Sequence, residues 1–206
     1  MRSTTSVRVL PALFTAALLL AGLSPETAPA QDIDSSETSL VETTPSDTTV
    51  DPDVPFVRTP QSLVDRMLQL ANVDEDDVVY DLGSGDGRIP ITAAQMHGAR
   101  GVGIEIQPDL VQEARRNADQ AGVGDLVEFR QGDLFETDIS EATVVTLYLL
   151  PDVNDRLRPK LLEQLEPGTR VVSHGFDMDG WKPDEVVETQ DTFLFLWTMP
   201  PDQREE

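Results

Sequence analysis

The chain has 206 residues, room for one domain whose core removes about two thirds of its unfolded surface from water. Its 38 acidic residues against 15 basic ones, a formal net charge of −23, argue against a nucleic-acid partner, because no basic face can be assembled to neutralise phosphates. It has no cysteine, which removes disulfide frameworks and thiolate metal sites, and His97 and His174 are too far apart for a helical metal pair, so no metal is expected.

The amino terminus reads as a targeting segment over residues 1–30. Arg2 and Arg8 flank its start, Leu10 to Leu23 is apolar, and Ala28-Pro-Ala30 places small residues before a cleavage at Gln31. An apolar run of this length is short of the ~20 residues that span a bilayer as a helix. A cleaved signal peptide is the first reading and an uncleaved anchor the second. Both put the domain outside the cytoplasmic membrane, exported or periplasmic. Residues 31–55 hold nine Ser/Thr, seven acids, three prolines and no basic residue, a composition expected to stay disordered as a tether. The folded domain is expected over 56–206, as a monomer. Only Lys160 and Lys182 are lysines, and this acid-rich, lysine-poor surface suits a high-salt environment where screening relieves self-repulsion.

Thr59-Pro60 predicts a helix start, with Thr59 as cap and Pro60 in the first turn, and an apolar face of Leu63, Val64, Met67, Leu68 and Ala71 through Asn72. A first strand is expected over 77–82. The glycines Gly83, Gly85 and Gly87 then give a G-x-G-x-G turn into a helix over 88–98, whose contacts are Ile89, Ile91, Ala93, Ala94 and Met96. A strand, a glycine turn and a helix make a nucleotide-type crevice at the carboxyl end of a parallel sheet. The dinucleotide fingerprint would need glycine where Arg88 stands. Asp81 at the strand end and Asp86 in the turn would repel a pyrophosphate and welcome a cofactor carrying positive charge. S-adenosylmethionine, with its ammonium and sulfonium, fits.

The second strand, 101–106, ends on Glu105, 22 residues after Gly83, where a carboxylate would accept both ribose hydroxyls. Pro108 opens a helix to Ala121 with Leu110, Val111, Ala114 and Ala118 facing the sheet, and Gly122 stops it. The third strand, 126–131, leads to Asp133, placed to meet an adenine amino group or simply to make a turn. Strand four, 143–149, is nearly all apolar or β-branched, as burial on both faces requires. A helix from Asp152 to Leu165, strand five over 169–174, and strands over 185–189 and 192–199 complete an alternating βα order with a terminal hairpin. The expected architecture is α/β: a mostly parallel seven-stranded sheet with an antiparallel last strand and helices on both faces.

Val54-Pro-Phe-Val-Arg-Thr-Pro60, Asp81-Leu-Gly-Ser-Gly-Asp-Gly-Arg-Ile89, Asp133-Leu134, Leu147-Tyr-Leu-Leu-Pro151 and Arg170-Val-Val-Ser-His174 carry a further reading. Over roughly 56–199 the chain resembles the Rossmann-like class I S-adenosylmethionine-dependent methyltransferases. It looks most like a bacterial and mitochondrial branch whose mitochondrial members methylate lysines of the ATP synthase c-subunit and the adenine nucleotide translocase. The resemblance implies a cofactor-binding set of Phe56, Thr59, Asp81, Gly83, Ser84, Gly85, Asp86, Gly87, Glu105, Asp133 and Leu134. It also implies that Phe56, Val57 and Thr59 fold over the cofactor's methionine end. The usual helix between strands five and six is expected to be shortened to a loop carrying Asp177, Asp179 and Trp181.

Leu147-Tyr148-Leu149-Leu150-Pro151 lacks the Asn or Asp with Pro-Pro that methyltransferases of amides and adenine carry at this point. A lysine ε-amine fits better, since transfer to a free amine needs mainly alignment and burial disfavours the ammonium form. Tyr148 is the candidate for the lysine channel, or else a core aromatic. His174 is the candidate proton acceptor, or else a structural histidine. The expected partner is a basic or lysine-bearing protein, with a membrane protein as one form of it. Two alternatives stay open: a small-molecule amine or hydroxyl methyltransferase, and an exported, non-catalytic ligand-binding domain. An export segment conflicts with a cofactor made inside cells. An anchor that leaves the enzyme on the cytoplasmic face resolves that conflict, as does cofactor carried out with the protein.

Overall fold

Val78-Val-Tyr-Asp-Leu82, β-branched and apolar, forms β1 and is buried along nearly its whole length. The structure, a computed structural model, describes residues 56–200. The segment 1–30, read as a signal or anchor, and the tether 31–55 lie outside the described residues. The remaining strands are β2 (Arg100–Glu105), β3 (Val127–Gln131), β4 (Val144–Leu147), β5 (Arg170–His174), β6 (Glu185–Glu188) and β7 (Phe193–Thr198). They form one seven-stranded sheet in the order β3-β2-β1-β4-β5-β7-β6. β1 to β5 run parallel, and β7 runs antiparallel to both β5 and β6. The expected architecture is therefore present, with strand ends moved by one or two residues.

The parallel register sets the site. Leu82 pairs with Ile104 on one side and Leu147 on the other, so the carboxyl ends of β1, β2 and β4 finish at one edge. Strand order reverses between β1 and β4, which opens a crevice at that edge.

Helices α1 (Gln61–Leu70), α2 (Arg88–His97) and α3 (Pro108–Ala121) contact one another in series, α1 on α2 and α2 on α3. Val64, Met67 and Leu68 of α1 join Ile89 and Ala93 of α2 over Val79, Val144 and Val172. Helix α4 (Pro151–Gln164) packs Val153, Leu157 and Leu161 on the other face, against Leu82, Val145 and Leu147. Val144 and Val145 thus belong to opposite cores, the period-2 alternation of a strand covered on both sides. Each fully buried Leu or Val here contributes about 1.5–3 kcal/mol of transfer free energy.

Two local expectations are corrected. Pro60, not Thr59, occupies the cap position of α1, with no side-chain cap bond, because Thr59 is buried and its carbonyl accepts Arg88 Nη1 at 2.7 Å. Met96 supplies no core contact; it is 72% exposed on the last turn of α2. Between β5 and β6 there is no helix, and residues 175–184 form a turn closed by a Met178–Trp181 bridge. Trp197 Nε1 donates to the Trp181 carbonyl at 2.8 Å and fixes that turn to the sheet.

At the opposite edge, Asp77 accepts Thr143 Oγ1 and Arg170 Nη2, each at 2.7 Å, tying the amino-terminal ends of β1, β4 and β5 together. Burial pushes this carboxyl up, but Thr143, the Asp74 amide and Arg170 together hold it below the usual carboxylate range.

Candidate active site

A cavity of about 270 Å³ opens at the carboxyl edge of β1, β2 and β4. Of the residues singled out in the sequence, Phe56, Thr59, Asp81, Gly83, Ser84, Asp86, Glu105, Asp133, Leu134 and Tyr148 all line it. Gly85, Gly87 and His174 do not.

The glycine turn explains why. Gly85 has φ +52°, and a Cβ there would lie 2.1 Å from Cε2 of Phe56, so the Phe56 ring takes the space a side chain would fill. Gly87, with φ +80°, caps α2 and faces the other way: a Cβ would lie 2.5 Å from Phe129 and 2.8 Å from Ala114. Its role is to let β3 and α3 close on the turn. Ser84 Oγ is buried without a hydrogen-bond partner and sits 2.6 Å from where a Cβ of Gly103 would be, so its hydroxyl is turned toward β2.

The acids differ in their surroundings. Glu105 Oε2 accepts the Gly85 amide and Oε1 the Gln107 amide, each at 2.9 Å, so the carboxylate is oriented at both oxygens by backbone. Asp81 is 3% exposed and accepts Thr146 Oγ1 at 2.8 Å. Burial, reinforced by the nearby charges of Glu105 and Asp86, pushes its carboxyl up to about 7 against the lowering effect of Thr146.

Asp86 corrects the electrostatic reading of the turn. Its carboxylate takes Arg58 Nε at 3.0 Å, Arg88 Nη2 at 2.6 Å and Arg88 Nε at 2.9 Å. Burial works against ionisation, but Arg88 and then Arg58 outweigh it and hold this carboxyl below the usual range. Its charge is therefore spent on the two arginines, and the unscreened negative field comes from Asp81 and Glu105. Asp133 Oδ1 accepts the Phe135 amide at 2.8 Å, so the acid also closes its own turn.

Tyr148, Leu149 and Val153 also line the cavity, with Leu149 Cδ2 3.0 Å from where a Cβ of Gly83 would lie. His174 is 4% exposed and stacks under Tyr148 with ring centroids 3.8 Å apart. Its Nδ1 is buried without a partner, and burial lowers its pKa. It backs the tyrosine and is not itself among the residues lining the cavity.

Sequence reasoning did not name Ile104, Ile106, Gln107, Phe135 and Leu149 as lining residues. Ile106 and Gln107 follow Glu105 directly, and Phe135 follows Leu134, so neighbours of the strand-end acids were the available signal. Arg58 and Arg88 also line the wall. The arrangement fits a nucleoside bearing positive charge: apolar walls from Ile104, Ile106, Leu134 and Phe135, a carboxylate with its orientation fixed, and a second carboxylate short of a cation.

Comparison with known proteins agrees. Residues 81–185 match the family model of the ANTKMT methyltransferase domain. The chain is 52% identical over 141 residues to a protein-lysine N-methyltransferase of Saccharolobus islandicus, covering 68% of this chain and 88% of that one. It is 37% identical over 134 residues to the adenine nucleotide translocase lysine N-methyltransferase of Mus musculus, covering 65% of this chain and 58% of the mouse protein. The crystal structure of an RNA methyltransferase from Salinibacter ruber with S-adenosyl-L-homocysteine superposes with a TM-score of 0.70 at 68% identity, over 73% of this chain and 98% of that one.

Proposed function

The chain belongs to the ANTKMT methyltransferase domain family and is an S-adenosylmethionine-dependent methyltransferase; from that premise we propose that its acceptor is the ε-amine of lysine in a protein substrate. The observation that carries this is the acceptor end. Tyr148 stands half-buried in the cavity wall, which the exposed Phe56 and Val57 also line, and exposed Leu150 and Phe176 lie in the segments that follow β4 and β5. Asp152, Asp177 and Asp179 are exposed along the same two segments. An apolar rim with carboxylates suits a protruding cationic side chain with an apolar stem.

Glu105 would hold the ribose hydroxyls, Asp81 the ammonium and Asp133 the adenine edge. When bound, the cofactor supplies an electrophilic methyl on its sulfonium and leaves as S-adenosylhomocysteine. The chain's own part is alignment and dehydration. Tyr148, Leu149 and Val153 exclude water around the incoming amine, and this desolvation favours its neutral, nucleophilic form, so no strong base is needed.

The Salinibacter ruber relative is described as acting on RNA. An RNA acceptor would need a basic face, which 38 acids against 15 basic residues do not provide. The test is transfer of tritiated methyl from S-adenosylmethionine by the full chain to a soluble protein fraction, a membrane-protein fraction and total RNA, with mass spectrometry of labelled protein. Methyl-lysine in protein is expected; label confined to RNA or to small molecules would overturn the proposal.

A further inference from the structure

Residues 56–59 lie along the cavity wall in front of α1. Thr59 is the fixed end. It is 5% exposed, its carbonyl is held by Arg88, and Val64, Met67 and Leu68 of the helix behind it are fully buried. Beyond Thr59 the hold is ionic. Arg58 Nε meets Asp86 at 3.0 Å and Arg58 Nη2 meets Glu113 on α3 at 3.0 Å, while its guanidinium lies 5.5 Å from the Phe56 ring centroid. The Phe56 ring in turn covers Gly85.

We propose that Arg58 is a positioning residue that clasps residues 56–58 across the cofactor crevice through Asp86 and Glu113, and thereby sets the rate of cofactor exchange. The inference rests on the methyltransferase reading and deepens it. Phe56 and Val57 contribute wall to the cavity only while the segment is closed, so a nucleoside beneath them leaves when the clasp opens. Arg58 is more than half exposed and its pair with Glu113 is open to solvent, while Asp86 is buried, so the clasp is sensitive to salt chiefly through its exposed arginine and Glu113. It also gives Asp86 a use other than cofactor contact: with Arg88 it forms the fixed half of the latch.

The test measures dissociation of S-adenosylhomocysteine from the full chain by stopped-flow displacement across a salt series, together with KM for S-adenosylmethionine and kcat. In the unaltered chain salt should accelerate dissociation, and Arg58→Gln is expected to speed dissociation about three- to tenfold at low salt and to remove that salt dependence. KM should rise more than kcat falls, and Arg58→Lys should recover part of the effect. Glu113→Gln, with one pair lost, should fall between. Thermal melting separates a misfolded variant from an open one, and Phe56→Ala supplies a second opening variant that leaves the ion pairs in place. Unchanged dissociation and salt dependence in Arg58→Gln would overturn the inference and leave the methyltransferase reading standing. No nucleotide binding by the unaltered chain would overturn both.

Discussion

Glu105, at the end of β2, accepts the amide of Gly85, in the turn after β1, at 2.9 Å. This bond joins the two parts of the cavity that the sequence separates by 20 residues, and Gln107 holds the second oxygen equally closely. The carboxylate is therefore oriented before any ligand arrives. Glu105→Ala should cost cofactor affinity at least about a hundredfold, since it removes charged hydrogen bonds and leaves the Gly85 amide unpaired. Glu105→Gln replaces one acceptor oxygen with a donor facing an N–H and should cost about tenfold. Titration calorimetry of the two variants checks the order.

Asp81 makes cofactor binding depend on pH. Its carboxyl is pushed up to about 7 by burial, so the ionised form needed to face an ammonium is lost as pH falls through 7. Affinity for S-adenosylmethionine should fall by up to about tenfold per pH unit below that point and level off above it. A binding curve flat from pH 5.5 to 8.5 would contradict this.

The same group bears on stability with the opposite sign from a paired carboxylate. Its folded pKa lies above the unfolded value, so the native state holds the extra proton between about 4 and 7, and stability falls as pH rises through that window. Asp81→Asn keeps the Thr146 contact without the buried charge. At pH 8 it should raise stability by roughly 1–4 kcal/mol while abolishing cofactor binding, and it should be neutral at pH 4. Denaturant melts at the two pH values give the comparison.

Gly85→Ala sets a methyl into the Phe56 ring and strains a backbone at φ +52°. Cofactor KM should rise at least about tenfold with the fold retained. In Phe56→Ala the added methyl meets no ring, so the double variant should lose less than the sum of the single losses. Strict additivity would mean that Phe56 does not cover the turn.

His174 stacks on Tyr148 and stays off the cavity wall, so its imidazole should not set the pH profile. His174→Phe should keep kcat within about threefold with an unshifted profile, whereas Tyr148→Ala should lower kcat/KM by about a hundredfold or more. Loss of the acid-side limb of the profile in His174→Phe would make the histidine a proton acceptor after all. For the amino-terminal segment, which we propose is an export signal, mass spectrometry of the secreted or periplasmic protein should find a chain starting at Gln31.

What was legible in the sequence by itself follows from short-range physics. Runs of β-branched and apolar residues marked all seven strands to within two residues, Gly122 marked the end of α3, and the spacing from Gly83 to Glu105 placed the second acid at the cavity. These signals survive because strand alternation, glycine turns and helix stops depend on residues within one element. Only the tertiary structure decided how each acid is used. Asp81 and Asp86 look alike in the glycine run, yet the first is buried with a threonine and the second is neutralised by Arg58, 28 residues away, and by Arg88. Gly85 and Gly87 look equivalent, yet one faces Phe56 and the other Phe129 and Ala114. His174 ends its strand as expected, but its role depends on a ring 26 residues earlier. Charge pairing and close approach are set by partners distant in the chain, and local pattern carries no record of them.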